Sequence, residues 1–166
     1  MPGSLDLVVE FPASVEQVHS AFRDEHYWVA RLAAFGGSTT LDSLILHADS
    51  AVTVVTTQDL RRQALPRMVA KVFPPDLKIL RKETWKPIGG RRVSGDVTVS
   101  APGALGSGRA DALLAPMHDG SRLRFTAIME VKVPLVGGKI ESYIGGQLAE
   151  QLHVMQRFTT AWLTQK

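Results

Sequence analysis

The chain contains no cysteine. It therefore has no disulfide framework, no thiol nucleophile and no thiolate ligand for a metal. Histidine does not compensate, because no pair among the five histidines has the His-x-x-x-His spacing of a helical zinc site. The sequence predicts no metal and no cofactor.

Long apolar runs are also lacking. The mean hydropathy is +0.02, and no run approaches the roughly 20 apolar residues that a helix needs to span a bilayer. Residues 1–6 have no basic region followed by an apolar one, so we expect no signal peptide. These features are typical of a cytoplasmic protein, which is the location we expect.

Signatures of catalysis are scarce. The sequence has no nucleophile elbow and no P-loop, and Gly103, Gly106 and Gly108 lie in a strand-like context instead of a dinucleotide-binding loop. We predict no catalytic residue, and the sequence favours a non-enzymatic function. An acid–base pair assembled from distant residues is the alternative that stays open.

The basic charge is modest and scattered. The chain contains 19 Lys and Arg and 16 Asp and Glu, which gives a formal net charge of +3. The basic residues occur in short pairs such as Arg61-Arg62 and Arg91-Arg92, without the aromatic pattern that stacks on bases. We expect no nucleic-acid partner. Weak contact with an anionic membrane surface explains the basic charge better than nucleic-acid binding does. Nothing in the pattern indicates an oligomeric state.

The 166 residues are enough for one domain with a sizeable core, and we treat 1–166 as that domain. Ser14 and Gln17 predict a capping box at the start of a short helix, and a second helix is predicted at 25–35 with Trp28, Val29 and Leu32 inward. Strand-like alternation predicts strands at 5–11, 39–47, 51–57, 80–85, 92–100, 106–114 and 121–131. The short turns between them favour an antiparallel sheet.

Residues 139–163 predict one long amphipathic helix. Its apolar arc consists of Ile140, Ile144, Leu148, Leu152, Met155, Phe158 and Trp162. Gln151 projects near the middle of this arc, where an amide without a partner costs about 1–3 kcal/mol. A bound ligand or cavity water would make Gln151 a recognition residue, and a protein partner would make it structural.

The element order and the stretch Val-Pro-Leu-Val-Gly-Gly-Lys-Ile-Glu at 133–141 resemble a known superfamily. This is the START-like superfamily, which includes birch-pollen-allergen-like proteins and the polyketide cyclase/dehydrase and lipid transport group. The stretch itself resembles an actinobacterial family within it that has no assigned function. The resemblance implies a helix-grip fold of the α+β class. In that fold a curved antiparallel sheet of seven strands wraps around the long C-terminal helix, and two short helices brace it.

The resemblance also implies an apolar cavity between sheet and helix. Small residues on one face of 106–114 agree with it, because small inward side chains leave volume. The predicted lining residues are Trp85, Ala110, Ala112, Phe125, Ala127, Met129, Ile144, Leu148, Gln151 and Met155. The predicted lid or mouth consists of Met68, Val72 and Phe73. The alternative is that large aromatic side chains fill the space.

Three functions follow from these patterns. The first is binding or carriage of a hydrophobic small molecule or lipid. The second is a cyclase- or hydrolase-like activity, which needs titratable groups inside the cavity, and the predicted inward faces show almost none. The third is a protein-interaction or stress-related module whose cavity is filled.

Overall fold

The computed structural model describes residues 3–35, 38–61, 76–101, 106–132 and 137–165. In chain order the elements are β1 (Gly3–Phe11), α1 (Val15–Phe22), α2 (Glu25–Ala34), β2 (Thr39–Leu46), β3 (Val52–Arg61), β4 (Asp76–Ile88), β5 (Arg92–Ser100), β6 (Gly106–Met117), β7 (Gly120–Val131) and α3 (Gly137–Thr164). The strands and helices expected from the periodicity are all present, with several strands longer than predicted.

The two short helices begin at the predicted caps. The Ser14 hydroxyl accepts a hydrogen bond from the Gln17 backbone N–H at 3.1 Å, and Gln17 Oε1 accepts one from the Ser14 N–H at 2.9 Å. This confirms the capping box. Asp24 caps α2 by accepting from the His26 N–H at 2.9 Å. Val29, predicted to be inward on α2, is 56% exposed, so that prediction was wrong.

All seven strands form one antiparallel sheet in the order β1-β7-β6-β5-β4-β3-β2. Because each turn joins neighbouring strands from β2 to β7, the register aligns inward residues in rows across the sheet. One row joins Trp85, Gly95, Ala112 and Phe125. The next joins Glu83, Val97, Ala110 and Ala127, and a third joins Arg81, Val99, Gly108 and Met129. These rows lie on the face that the helices cover, which we call the inner face.

The helices do not cover the inner face evenly. The α3 helix packs along β1 and β7, α2 packs against β2, and α1 packs against β5 and β6. The two longer helices therefore lie over opposite edges of the sheet. The central strands between them are covered by α1 at one end.

The edge position of α3 changes which of its faces is buried. The buried residues are Gly137, Ile140, Glu141, Gly145, Leu152, Met155 and Thr159. Gln156, on the β1 side, donates from Nε2 to the Glu10 carbonyl at 2.7 Å. The buried face is therefore rotated toward β1 relative to the predicted arc, because α3 packs on an edge of the sheet instead of its centre. Gln151 is exposed as a result, so its placement in the middle of the buried arc was wrong.

Candidate functional site

One end of the inner face is filled by six aromatic side chains, which we call the aromatic end: Phe22, Tyr27, Trp28, Trp85, Phe158 and Trp162. Neighbouring ring centroids lie 4.9–6.3 Å apart. The Tyr27 hydroxyl and the Thr159 hydroxyl are 2.5 Å apart, which ties α2 to α3.

The Trp85 ring lies directly over Gly95. A Cβ atom at Gly95 would come within 2.4 Å of Trp85 Cζ3. Glycine is therefore required there by close packing, and the ring occupies the volume that a side chain on β5 would take. At this end of the sheet, aromatic side chains fill the space, which is the packing expected under the alternative to a cavity.

The inner face is more open toward the end at which β4 and β6 begin. Val99 and Gly108 lie on central strands, yet both are only half-buried. Among the described residues, a Cβ atom at Gly108 would meet only Ile128 O and Val99 Cβ, each at 3.8 Å. No atom of α3 is that close. We call this strip between α2 and α3, with Arg81, Val99 and Gly108 on its floor, the inner groove.

A buried carboxylate lies beside the inner groove. Glu83 Oε1 accepts from Trp85 Nε1 at 2.8 Å, and Oε2 accepts from Arg81 Nε at 2.9 Å. The Glu83 side chain is 2% exposed, whereas that of Arg81 is 29% exposed. Burial acts to raise the pKa of Glu83, but the charges of Arg81 and Arg31 and the two hydrogen bonds outweigh it and hold the pKa below its usual value. Glu83 is therefore ionised at neutral pH.

Arg31 brings a second guanidinium group to this region from α2. Its Cζ lies 4.4 Å from the centroid of the Trp28 ring, a cation–π contact. These charged groups correct the expectation that the inward strand faces carry almost no titratable residues. Ile79, Arg81, Glu83 and Trp85 alternate along β4. Because Trp85 was predicted to be inward, the same period of two would have placed Glu83 and Arg81 there as well.

The predicted lining residues fall into three groups. Trp85, Ala110, Ala112, Phe125, Ala127, Met129 and Met155 are buried against the helices or the sheet. Ile144 and Leu148 are half-buried on α3, and Gln151 is exposed. A Cβ atom at Gly145 would lie 3.5 Å from Met129 Cε, so this part of α3 packs closely on β7. The predicted lid residues Met68, Val72 and Phe73 lie outside the described residues.

Two surface depressions are also present. One, of about 320 Å³, is lined by Val8, Val9, Glu10, His153 and Gln156 at the contact between β1 and α3. The other, of about 340 Å³, lies at the turns around Pro12, Arg91 and His118. Neither is lined by a residue that was predicted to line the cavity, and the predicted cavity is not one of them.

Two further buried polar groups were missed from the sequence. Glu141 accepts a hydrogen bond from the Val131 backbone N–H at 2.9 Å, which fastens the start of α3 to the end of β7. His19 is buried beside β4, and its Nε2 has no partner among the described residues. Burial lowers the pKa of His19, and the nearby charge of Arg23 adds to this effect despite a hydrogen bond to the Trp85 backbone.

In the part of the chain that the structure describes, no group of three or more His, Asp or Glu side chains is placed to hold a metal ion. The described helices also include none with the length and apolar character needed to cross a membrane.

Comparisons with known proteins agree with this architecture. The sequence model of a family described as "Protein of unknown function (DUF2505)" matches residues 6–163. The uncharacterized protein Rv0481c of Mycobacterium tuberculosis is 37% identical over 175 residues, covering 99% of this chain and 98% of that protein. Both findings bear out the expected resemblance to an actinobacterial family without an assigned function.

Solved structures share the fold at low sequence identity. A START superfamily protein from Mycobacterium smegmatis has a TM-score of 0.54 at 13% identity, covering 98% of this chain and 97% of that one. The Zhui aromatase/cyclase from Streptomyces sp. R1128 has a TM-score of 0.59 at 9% identity, covering 99% and 94%. These likenesses confirm the START-like helix-grip fold.

Proposed function

This chain belongs to the DUF2505 family of proteins of unknown function, and we propose that it binds a hydrophobic small molecule or lipid in the inner groove. The observation that carries the proposal is the half-buried state of Val99 and Gly108 on central strands of the sheet. Central strands of a helix-covered sheet are normally buried, so an apolar floor that none of the described helices covers is a surface for another apolar molecule.

The surroundings of the groove support this assignment. Ala110 and Ala127, in the row next to its floor, have small side chains, which add little bulk above the sheet. Ile144 and Leu148 lie half-buried on α3 and supply an apolar wall. We propose these residues as ligand contacts together with Met129, which lies in the same row as Val99 and Gly108. Gln151 is included as an exposed polar contact at the rim, and Met68, Val72 and Phe73 as a lid.

The state of Glu83 also favours binding over catalysis. Proteins of the START-like superfamily commonly hold hydrophobic molecules between sheet and helix, and the aromatase/cyclase among the solved neighbours shows that the fold can host an enzyme. A catalytic acid needs a pKa raised toward neutral pH. Glu83 has the opposite shift and both of its oxygens are engaged. We therefore assign it no catalytic role.

The expected cytoplasmic location and the expected membrane contact belong to the same proposal. A cytoplasmic carrier of a lipid meets membranes when it loads and unloads. The formal net charge of +3 would favour weak contact with an anionic membrane surface.

A binding titration with the neutral apolar dye Nile red tests the proposal. We expect saturable fluorescence with one site per chain and a rise in melting temperature. At a free ligand concentration of about 100 times Kd, the gain in unfolding free energy is about 2.7 kcal/mol.

A matched pair of variants locates the site. Gly108→Leu fills the floor of the inner groove, where a Cβ would have only contacts of 3.8 Å, so the protein should fold and lose the dye. Arg109→Leu adds the same side chain to the outer face of the same strand, where Arg109 is exposed, and should leave binding unchanged. Unsaturable dye fluorescence in the wild type, or equal binding by both variants, would contradict the proposal.

A further inference from the structure

The polar groups beside the inner groove differ in accessibility. Glu83 is nearly fully buried, and each of its carboxylate oxygens already accepts a hydrogen bond. Arg81 keeps 29% of its side chain exposed. A molecule in the groove can therefore reach the Arg81 side chain and cannot reach the carboxylate.

Arg81 has donors left to offer. A guanidinium group carries N–H donors on each of its nitrogens. Glu83 takes the donor on Nε, and within the described part of the chain no hydrogen bond engages the terminal nitrogens Nη1 and Nη2. Two parallel donors on such a fork match the two oxygens of a carboxylate.

Among the described residues, the charges at this point are unbalanced. Those that act on Glu83 are the guanidinium groups of Arg81 and Arg31, so two positive groups accompany one negative group there. The other inner-face neighbours of Arg81, Thr56 and Val99, are uncharged. In the free protein, the exposed part of Arg81 is accessible to water.

An apolar ligand that covers the groove removes this water. Covering a guanidinium group without a new acceptor is costly, because a polar or charged group out of water needs a hydrogen-bonding partner. A ligand with a neutral hydroxyl supplies an acceptor and leaves the surplus positive charge. A ligand with a carboxylate supplies both the acceptor and the balancing charge.

We infer that the ligand is an amphipathic carboxylate, and that Arg81 is the residue that selects it. The apolar part of the ligand lies on Val99 and Gly108, and its carboxylate accepts hydrogen bonds from Nη1 and Nη2 of Arg81. Glu83 is a positioning residue, which holds Arg81 through Nε, and Trp85 in turn holds Glu83. This inference rests on the proposed function.

The test compares two ligands with the same alkyl chain, decanoate and decan-1-ol, by isothermal titration calorimetry. The wild type should bind decanoate about 10- to 100-fold more tightly than decan-1-ol, since the free energy of a hydrogen bond to a charged group corresponds to an affinity ratio of that size. In Arg81→Met/Glu83→Gln, which removes both charges of the pair and leaves no buried carboxylate unpaired, this preference should vanish while the affinity for decan-1-ol stays the same.

Two controls make the result specific. Arg109→Met removes an exposed guanidinium group from the outer face and should keep the full preference for decanoate. Arg81→Lys keeps the positive charge, loses the fork, and should retain only part of the preference.

The outcomes separate this inference from the proposed function. Equal binding of acid and alcohol by the wild type, or an undiminished preference in the double variant, overturns the carboxylate inference and leaves the apolar site in place. Binding of neither molecule overturns the proposed function and this inference with it.

Discussion

The aromatic end and the inner groove lie on the same face of the same sheet, and they differ in what occupies the space above the strands. Gly95 and Gly108 lie on the neighbouring strands β5 and β6. Above Gly95 is the Trp85 ring, at 2.4 Å from the place of a Cβ atom. Above Gly108, the described residues offer only contacts of 3.8 Å. Small residues on an inner face therefore mark close packing in one place and available volume in another.

The polar groups follow the same division. At the aromatic end, the Tyr27 and Thr159 hydroxyls satisfy each other, and Trp28 Nε1 donates to the Phe22 carbonyl at 2.8 Å. At the groove, Arg81 is only partly satisfied by Glu83. At the aromatic end these groups bond to each other or to the backbone, whereas the terminal nitrogens of Arg81 have no hydrogen-bond partner among the described residues.

The largest effect should come from removing the ring that fills the aromatic end. We expect Trp85→Ala to lower the free energy of unfolding by about 3–5 kcal/mol, through the cavity it leaves and the lost hydrogen bond to Glu83. Val99→Ala in the groove should cost only about 1 kcal/mol, since a half-buried valine contributes less. Urea denaturation measures both. Similar losses would show that the two regions are equally packed.

The paired glycines give the sharpest test of the difference. Gly95→Ala drives a methyl group into the Trp85 ring and should cost about 1–3 kcal/mol. Gly108→Ala meets no close atom among the described residues and should be neutral or stabilise by up to about 1 kcal/mol. Thermal unfolding of the two variants side by side is sufficient. A destabilised Gly108→Ala would mean that the groove floor is covered.

Stability should depend on pH through different groups at the two ends. The folded pKa of His19, beside the Trp85 backbone, is lowered from 6.5. The unfolded chain then binds more protons, so this contribution to stability is lost as pH falls below 6.5. Glu83 also has a lowered folded pKa, so its contribution is present above 4.5 and is lost as pH falls below that value.

Substitution separates these two windows. In His19→Gln, the decline in unfolding free energy between about pH 7 and about pH 5 should flatten, because the titrating group is gone. The decline at more acidic pH should persist, because Glu83 is still present. An unchanged slope near pH 6 would assign that decline to another group.

The smallest effect concerns the start of α3. Gly145→Ala should raise the free energy of unfolding by about 0.4–1 kcal/mol, because the backbone there is helical and the new methyl group lies at 3.5 Å from Met129 Cε. If this part of α3 is a gate, stopped-flow mixing with Nile red should show slower entry and exit. Gly146→Ala, on the exposed side, is the matched control for helix propensity alone.

Most of the fold was predictable from periodicity and turn chemistry. The alternation in residues 121–131 placed Leu123, Phe125 and Ala127 on one buried face, and the structure buries all three. Ser14 and Gln17 predicted the start of α1, because the capping box is a local interaction that needs no tertiary contact. Local signals of this kind depend only on neighbours in the chain, so they can be recognised from the sequence alone.

The candidate site was much less predictable. Arg81 and Glu83 were readable from the alternation along β4, but charged residues are normally assigned to the outer face, so they were overlooked. Arg31 was not predictable, because the electrostatic interaction between its charge and Glu83 joins α2 to β4 across a long stretch of chain. The predicted burial of Gln151 was wrong for the same kind of reason, since the face that a helix buries depends on where its packing partners lie.

The sequence by itself determined the elements, their order, the antiparallel sheet and the small residues of β6, because backbone preferences and the spacing of apolar residues are local properties. The tertiary structure alone decided that α3 lies over β1 and β7, that Trp85 covers Gly95, and that no described helix covers Gly108. Helix position depends on the packing of many side chains at once. For that reason, the difference between a filled end and an open groove arises only in the folded chain.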